Sequence, residues 1–212
     1  MFSNHRVLSL SQYFSVHPSH PQQRLLLRAA EIIAAGGLVV YPTDTTYALG
    51  CHIGDKQALD RIRLLRRLAK YHHFTLTCRD LSEISLYARV DDQSYRILKH
   101  LTPGPFTFLL PATREVPRRL VHPKRKTIGL RVPDHPVAQA LLEALGEPMM
   151  STSMRLPDAD EAMADPQEIR RELEQSVDLI LDGGHNGLIP TTVVDLTRDV
   201  PEVVRQGLGE FV

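Results

Sequence analysis

Apolar positions recur along this chain at two spacings, and the two spacings take turns. The segment "PQQRLLLRAAEIIAAGG" (21–37) repeats them every three to four residues, opens near Pro21 and closes on Gly36-Gly37, which predicts a helix. "LVVYP" (38–42) is a continuous β-branched and aromatic run, which predicts a buried strand. Helical spacing returns in "DKQALDRIRLLRRLAK" (55–70), with Ala58, Ile62, Leu65 and either Leu64 or Leu68 inward. It returns in "SYRILKHLTPGP" (94–105), in "HPVAQALLEALGEP" (135–148) and in "DPQEIRRELEQ" (165–175). Strand-like runs lie between and after them: "FTLTC" (74–78), "FTFLLPA" (106–112), "KTIGLRVP" (126–133), "PMMSTS" (148–153), "VDLILDGG" (177–184), "TTVVDLT" (191–197) and "EVVRQG" (202–207). Interleaved helices and strands predict an α/β fold, a twisted sheet of about seven strands flanked by helices. The late strands follow one another without helices, so the sheet is expected to be mixed.

A length of 212 residues suits one sizeable core, and residues 20–209 are expected to form it. Residues 1–19 read as an extension with room for one edge strand; they lack the charged start and apolar stretch of a secretory signal. No apolar run approaches membrane-spanning length. The cysteines, Cys51 and Cys78, belong to no CxxC pair, which favours a reduced, cytoplasmic, metal-free protein. The adjacent His72 and His73 make poor joint ligands for one ion.

Charge balances at 25 basic and 25 acidic residues, but unevenly along the chain. Between Arg114 and Arg131 lie Arg118, Arg119, Lys124, Arg125 and Lys126 against Glu115 alone, and from Asp158 to Glu174 the balance reverses. Such a basic stretch is either a solvated face or a footprint for RNA or another polyanion.

Candidate chemistry gathers at strand ends. "YPTDTTY" places Thr43, Asp44, Thr45 and Thr46 after one strand; Ser151, Thr152 and Ser153 follow "EPMM"; Thr191 and Thr192 open another. Thr and Asp are ordinary turn and cap residues. Their recurrence at the edge where open α/β sheets bind ligands points instead to oxygen-rich groups such as phosphate or carboxylate. Arg131, inside "TIGLRV", calls for an anionic partner, and Arg205 in "VVRQGLG" is a second strand arginine. GxxxxGK[ST], GxGxxG and GxSxG are all missing, so standard nucleotide loops and the serine-hydrolase elbow do not apply.

"GGLVVYPTDTTYALGC", "LTPGPFTFLLPA", "KTIGLRVPDHPVAQALLEALGEPMMSTS", "PTTVVDLT" and "VVRQGLG" resemble, in order and over residues 20–209, the YrdC/YciO family. "HPSHPQQRL", "FTLTCRDLSE", "EVPRRL" and "KRKTIG" are closest to its YciO branch. The resemblance implies a YrdC-like fold with a concave basic cavity and binding of RNA, double-stranded RNA or tRNA in particular. Its YrdC branch makes threonylcarbamoyl-AMP from threonine, bicarbonate and ATP with Mg²⁺, for modification of tRNA adenosine 37.

By the same resemblance Thr43 would hold threonine, while Arg131, Ser151, Ser153, Thr191 or Thr192, and Arg205 would hold the nucleotide phosphates. Arg66 and Arg155 would carry catalytic charge. The synthase KxR reads here as Arg66 with Leu68, and SxN reads Ser153-Met154-Arg155. Losing one preorganised charge can cost roughly 10²–10³ in rate. The expectation is therefore a nucleotide- and RNA-binding protein, with an active threonylcarbamoyl-AMP synthase and a plain α/β domain as the competing readings.

Overall fold

Local signals start and stop most helices where the sequence places them. Asp55, Asp91 and Asp165 accept backbone N–H bonds at the N-termini of three helices, and Gly146 ends a fourth at φ +75°, a left-handed turn that glycine adopts without strain. The computed structural model describes residues 10–68, 72 and 74–211. In chain order the elements are β1 (Gln12–Ser15), α1 (Gln23–Ala34), β2 (Val39–Tyr41), β3 (Ala48–His52), α2 (Lys56–Leu65) and β4 (Thr75–Thr77). Then come α3 (Leu81–Tyr87), α4 (Asp92–Leu101), β5 (Phe106–Pro111), β6 (Thr127–Arg131), α5 (Pro136–Leu145) and β7 (Met149–Ser153). The chain closes with α6 (Pro166–Leu173), β8 (Leu179–Asp182), β9 (Thr192–Asp195) and β10 (Glu202–Arg205).

One mixed sheet holds all ten strands in the order β1-β8-β2-β3-β7-β4-β6-β5-β9-β10, more than the seven expected. Eight of them match the apolar runs and β1 lies in the extension given room for an edge strand, so β3 is the strand without a predicted counterpart. Buried on both faces and interrupted by Gly50, "ALGCH" shows no apolar–polar alternation to reveal it. It hairpins antiparallel to β2 across the Pro42–Tyr47 turn and pairs antiparallel with β7 on its other side. β1 pairs parallel with β8 and forms one edge of the sheet. In α2, Ala58, Leu59 and Ile62 are buried, whereas Leu64 is 81% exposed; Leu65 and Leu68 pack at the core margin. The last residues of that predicted helix, 69–70, and His73 lie outside the described residues.

The two faces of the sheet are covered differently. Val40, Leu49, Leu76, Phe108, Leu130, Met150, Ile180 and Val194 face one core that also takes in Ala58, Ile62, Ile84, Leu98 and Ile169 from the helices. On the other face, α1 and α5 pack over Val39, Tyr41, Ala48, Met149, Leu179 and Leu181. Beyond β3 no apolar cluster continues that second layer among the described residues. The same-face positions of β4, β6, β5 and β7 are Thr75, Thr77, Gly129, Arg131, Thr107, Ser151 and Ser153. Polar and small residues thus appear where helical cover ends, and the gap leaves a hollow.

Candidate ligand-binding site

The hollow has a volume of about 370 Å³. Its floor is the uncovered face of β7, β4, β6, β5 and β9, whose alternate residues point into it because strand side chains alternate with period two. Gly129 keeps the floor low: a Cβ there would lie 3.1 Å from Thr75 Oγ1. Arg125, Arg131 and Arg205 supply charge, Ser151, Ser153 and Thr191 supply hydroxyls, and Leu109, Val193 and Val204 form an apolar wall.

The turn after β2 explains its own composition. Arg131, 8% exposed, reaches from β6 into that turn, donating to Thr45 Oγ1 at 2.9 Å and Thr43 Oγ1 at 3.3 Å and forming an ion pair with Asp44. Thr43 in turn donates to the carbonyl of Thr46 at 2.6 Å. The anionic partner that a strand arginine requires is thus internal. Thr43, 1% exposed, lies beneath Arg131 and outside the lining, with its hydroxyl already engaged. Tyr41 adds a second brace, its buried hydroxyl donating to Ser151 Oγ at 2.9 Å and Thr77 Oγ1 at 3.3 Å.

The remaining cations are less well compensated. Arg125 is 3.9 Å from Asp195. Arg205 donates to the carbonyl and hydroxyl of Thr191 at 2.8 and 3.1 Å, both neutral acceptors. Arg66 donates to Thr152 Oγ1 at 3.1 Å and to the carbonyl of Ser153, and its Nε is buried with no hydrogen-bond partner. Burial and the neighbouring Arg155 push the Arg66 guanidinium down to about 10, and burial with Arg155 and Arg131 lowers Arg205. Arg155 itself is exposed and forms no ion pair among the described residues. Arg66 and Arg205, both lowered first by burial and then by Arg155, are hydrogen-bonded to neutral oxygens and not to a carboxylate, an arrangement that suits an anion.

Other expected residues fall elsewhere. The hydroxyl of Thr192 turns to the opposite face, donating to the carbonyl of Gly209 at 2.6 Å, so only Thr191 of that pair joins the hollow. Arg119 donates to the carbonyl of Gly54, behind the sheet; Arg118, Lys124 and Lys126 are exposed on the same loop, and Arg125 alone of this group lines the hollow. Sequence reasoning singled out Asp44 without assigning it to Arg131, and missed Tyr41, Thr75, Thr77 and Thr107. The signal for the threonines was present: each lies on the same face of its strand, opposite the apolar alternates.

The profile of the Sua5/YciO/YrdC family, described as telomere recombination, matches residues 31–207. The chain belongs to the Sua5/YciO/YrdC family. It is 58% identical to the YciO protein of Escherichia coli over 95% of this chain and 98% of that one, and the crystal structure of E. coli YciO superposes with a TM-score of 0.92 over the same shares. A threonylcarbamoyl-AMP synthase of Nitrosococcus oceani is 37% identical over 77% of this chain and 87% of that one. The Sua5 of Pyrococcus abyssi, crystallised with L-threonine, superposes with a TM-score of 0.86 at 25% identity, covering 93% of this chain and 58% of that chain. Within the Sua5/YciO/YrdC family this protein is of the YciO type and is related to the Sua5 threonylcarbamoyl-AMP synthases. Among its described residues no helix is long and apolar enough to cross a membrane, and no three His, Cys, Asp or Glu side chains gather as a metal site requires.

Proposed function

We propose that the hollow binds a phosphate-bearing nucleotide and that the basic loop beside it engages RNA, tRNA or a double-stranded segment in particular. The observation that carries the nucleotide reading is the polarity of the site: a hollow of about 370 Å³ with three arginines and a ring of hydroxyls, and no carboxylate, among the described residues of its lining. Arg131 is already neutralised by Asp44, so Arg205 and Arg125 are the lining arginines left to meet a phosphate chain; Arg66 and Arg155 lie outside the lining, and Arg155 acts on Arg205 through its charge. The hydroxyls of Ser151, Ser153 and Thr191 can donate to its oxygens. A Mg²⁺ ion would neutralise charge on the phosphates and would arrive with them, since no lining residue is a carboxylate.

A threonylcarbamoyl-AMP synthase activity is the second reading. What favours it is the mutual proximity of Arg66, Arg155 and Arg205 together with the relationship to the synthases. Leu68, packed at the core margin, supplies no charge where the synthase pattern has arginine, so any such activity is expected to be slow.

A thermal-shift screen with ATP, AMP and threonine tests the nucleotide reading. A nucleotide at about 100 times its Kd should add about 2.7 kcal/mol of stability. The shift should shrink in Arg205→Gln, which removes a lining cation whose hydrogen bonds among the described residues go to Thr191. An unchanged melting temperature with every ligand leaves the plain α/β domain, and threonine-dependent pyrophosphate release would establish the synthase.

A further inference from the structure

The lining of the hollow contains one group that neither the phosphate seat nor its hydroxyls account for, the imidazole of His72. The segment between α2 and β4 brings it there. Its ring meets that of Phe74 edge-on, with centroids 5.3 Å apart and planes at 78°, and Phe74 is buried to 1% exposure. A fixed aromatic ring therefore backs one side of the imidazole.

The chemistry of its neighbours makes His72 unlike the rest of the site. Arg125, Arg131 and Arg205 face the same hollow, and arginine keeps its proton throughout the accessible pH range. Behind Phe74 the guanidinium carbon of Arg63 lies 5.3 Å from the ring centroid, another permanent cation. The nearby acids are outside the lining: Asp44 is paired with Arg131, and Asp195 lies 3.9 Å from Arg125. The other lining groups are hydroxyls, glycine or apolar side chains. Histidine is the residue type whose charge changes between pH 5 and 8, so among the described lining residues His72 is the one that can adjust the charge near neutrality.

We propose that His72 is a ligand contact of the hollow that takes up a proton as a phosphate-bearing ligand docks, an assignment that rests on the nucleotide reading above. While the hollow is empty, its arginines oppose a further positive charge. A docked phosphate chain reverses that field and favours the imidazolium, which then adds a charge-assisted hydrogen bond. Ligand binding and proton uptake are thereby linked: affinity is higher where the imidazole is readily protonated and falls as pH rises. A histidine that only packs against Phe74 would produce no such linkage.

Calorimetric titration of the full chain with ATP and with pyrophosphate, at pH 5.5 and 8.5, tests this for the native protein, His72→Gln and His72→Lys. Dividing native by His72→Gln affinity at each pH cancels the ligand's own titration. That ratio should rise from about 1 at pH 8.5 to about 10 at pH 5.5, the scale of one charge-assisted contact. The native protein should take up protons on binding, read as a dependence of the heat on buffer ionisation, and His72→Gln should not. His72→Lys, a permanent cation, should bind tightly at both pH values. A ratio that stays flat while the native protein binds overturns the assignment, as does a folded His72→Lys no tighter than His72→Gln at pH 8.5. Absence of binding by the native protein overturns the nucleotide reading and this assignment with it.

Discussion

Asp44 and Arg131 show how much one pair of residues determines. Both are nearly buried, the pair runs from Arg131 Nη2 to Asp44 Oδ1, and Arg131 Nε and Asp44 Oδ2 have no hydrogen-bond partner. Removing one charge leaves the other stranded in low dielectric. Asp44→Asn should therefore cost about 3–5 kcal/mol in urea denaturation, while combining Asp44→Asn with Arg131→Met should recover part of that loss. Arg66 should behave in the opposite way. Its pKa is lowered from the ordinary arginine value to about 10, so at neutral pH the fold carries the full cost of holding that charge, and the cost is relieved only as pH rises above about 10. Arg66→Met removes this cost along with hydrogen bonds to Thr152 and Ser153, each worth about 1 kcal/mol. Stability should change by less than about 1 kcal/mol, whereas ATP binding in the thermal-shift screen should weaken. The sequence alone made Arg131, Ser151, Ser153 and Arg205 recognisable, because hydroxyls and arginines at strand ends are chemically conspicuous. It did not reveal that the anion required by Arg131 is Asp44, because an aspartate in a turn has the same appearance whether it caps, pairs or faces water.

At the level of elements, legibility followed periodicity. The helices α1, α2, α4, α5 and α6 were visible through apolar residues at helical spacing, and eight of the strands through apolar runs. β3 escaped because a strand buried on both faces carries no alternation. α3 escaped because seven residues provide only two turns, although Asp80 at its N-cap and Glu83 three residues later were a usable signal. The unequal cover of the sheet predicts unequal costs of substitution. Leu141 of α5 is fully buried against α1 and the sheet, so Leu141→Ala should cost about 2–5 kcal/mol. Thr107 lies on the uncovered half, its hydroxyl 2.9 Å from that of Thr191. Thr107→Val keeps the shape and leaves Thr191 bonded to Arg205, so it should cost under about 1 kcal/mol, with both variants read by urea denaturation.

For the molecule as a whole, a net charge of zero conceals a basic loop beside an arginine-lined hollow. If Arg118, Lys124 and Lys126 contact RNA phosphates, replacing all three with Ala should flatten the plot of log affinity against log salt by about 2–3 units of slope, measured with a structured RNA. Affinity that does not vary with salt would argue that the loop is only a solvated surface. The sheet order carries a different consequence, one of timing. Thr191, Val193, Val204 and Arg205 enclose one side of the hollow, and they come from β9, β10 and the residue just before β9, all made after the other strands. A chain still on the ribosome can bury its hydrophobic face and lock Arg131 to Asp44, yet it has an open trough where the finished protein has a cup. Capture of a small anion is thereby postponed until β9 and β10 have joined the sheet.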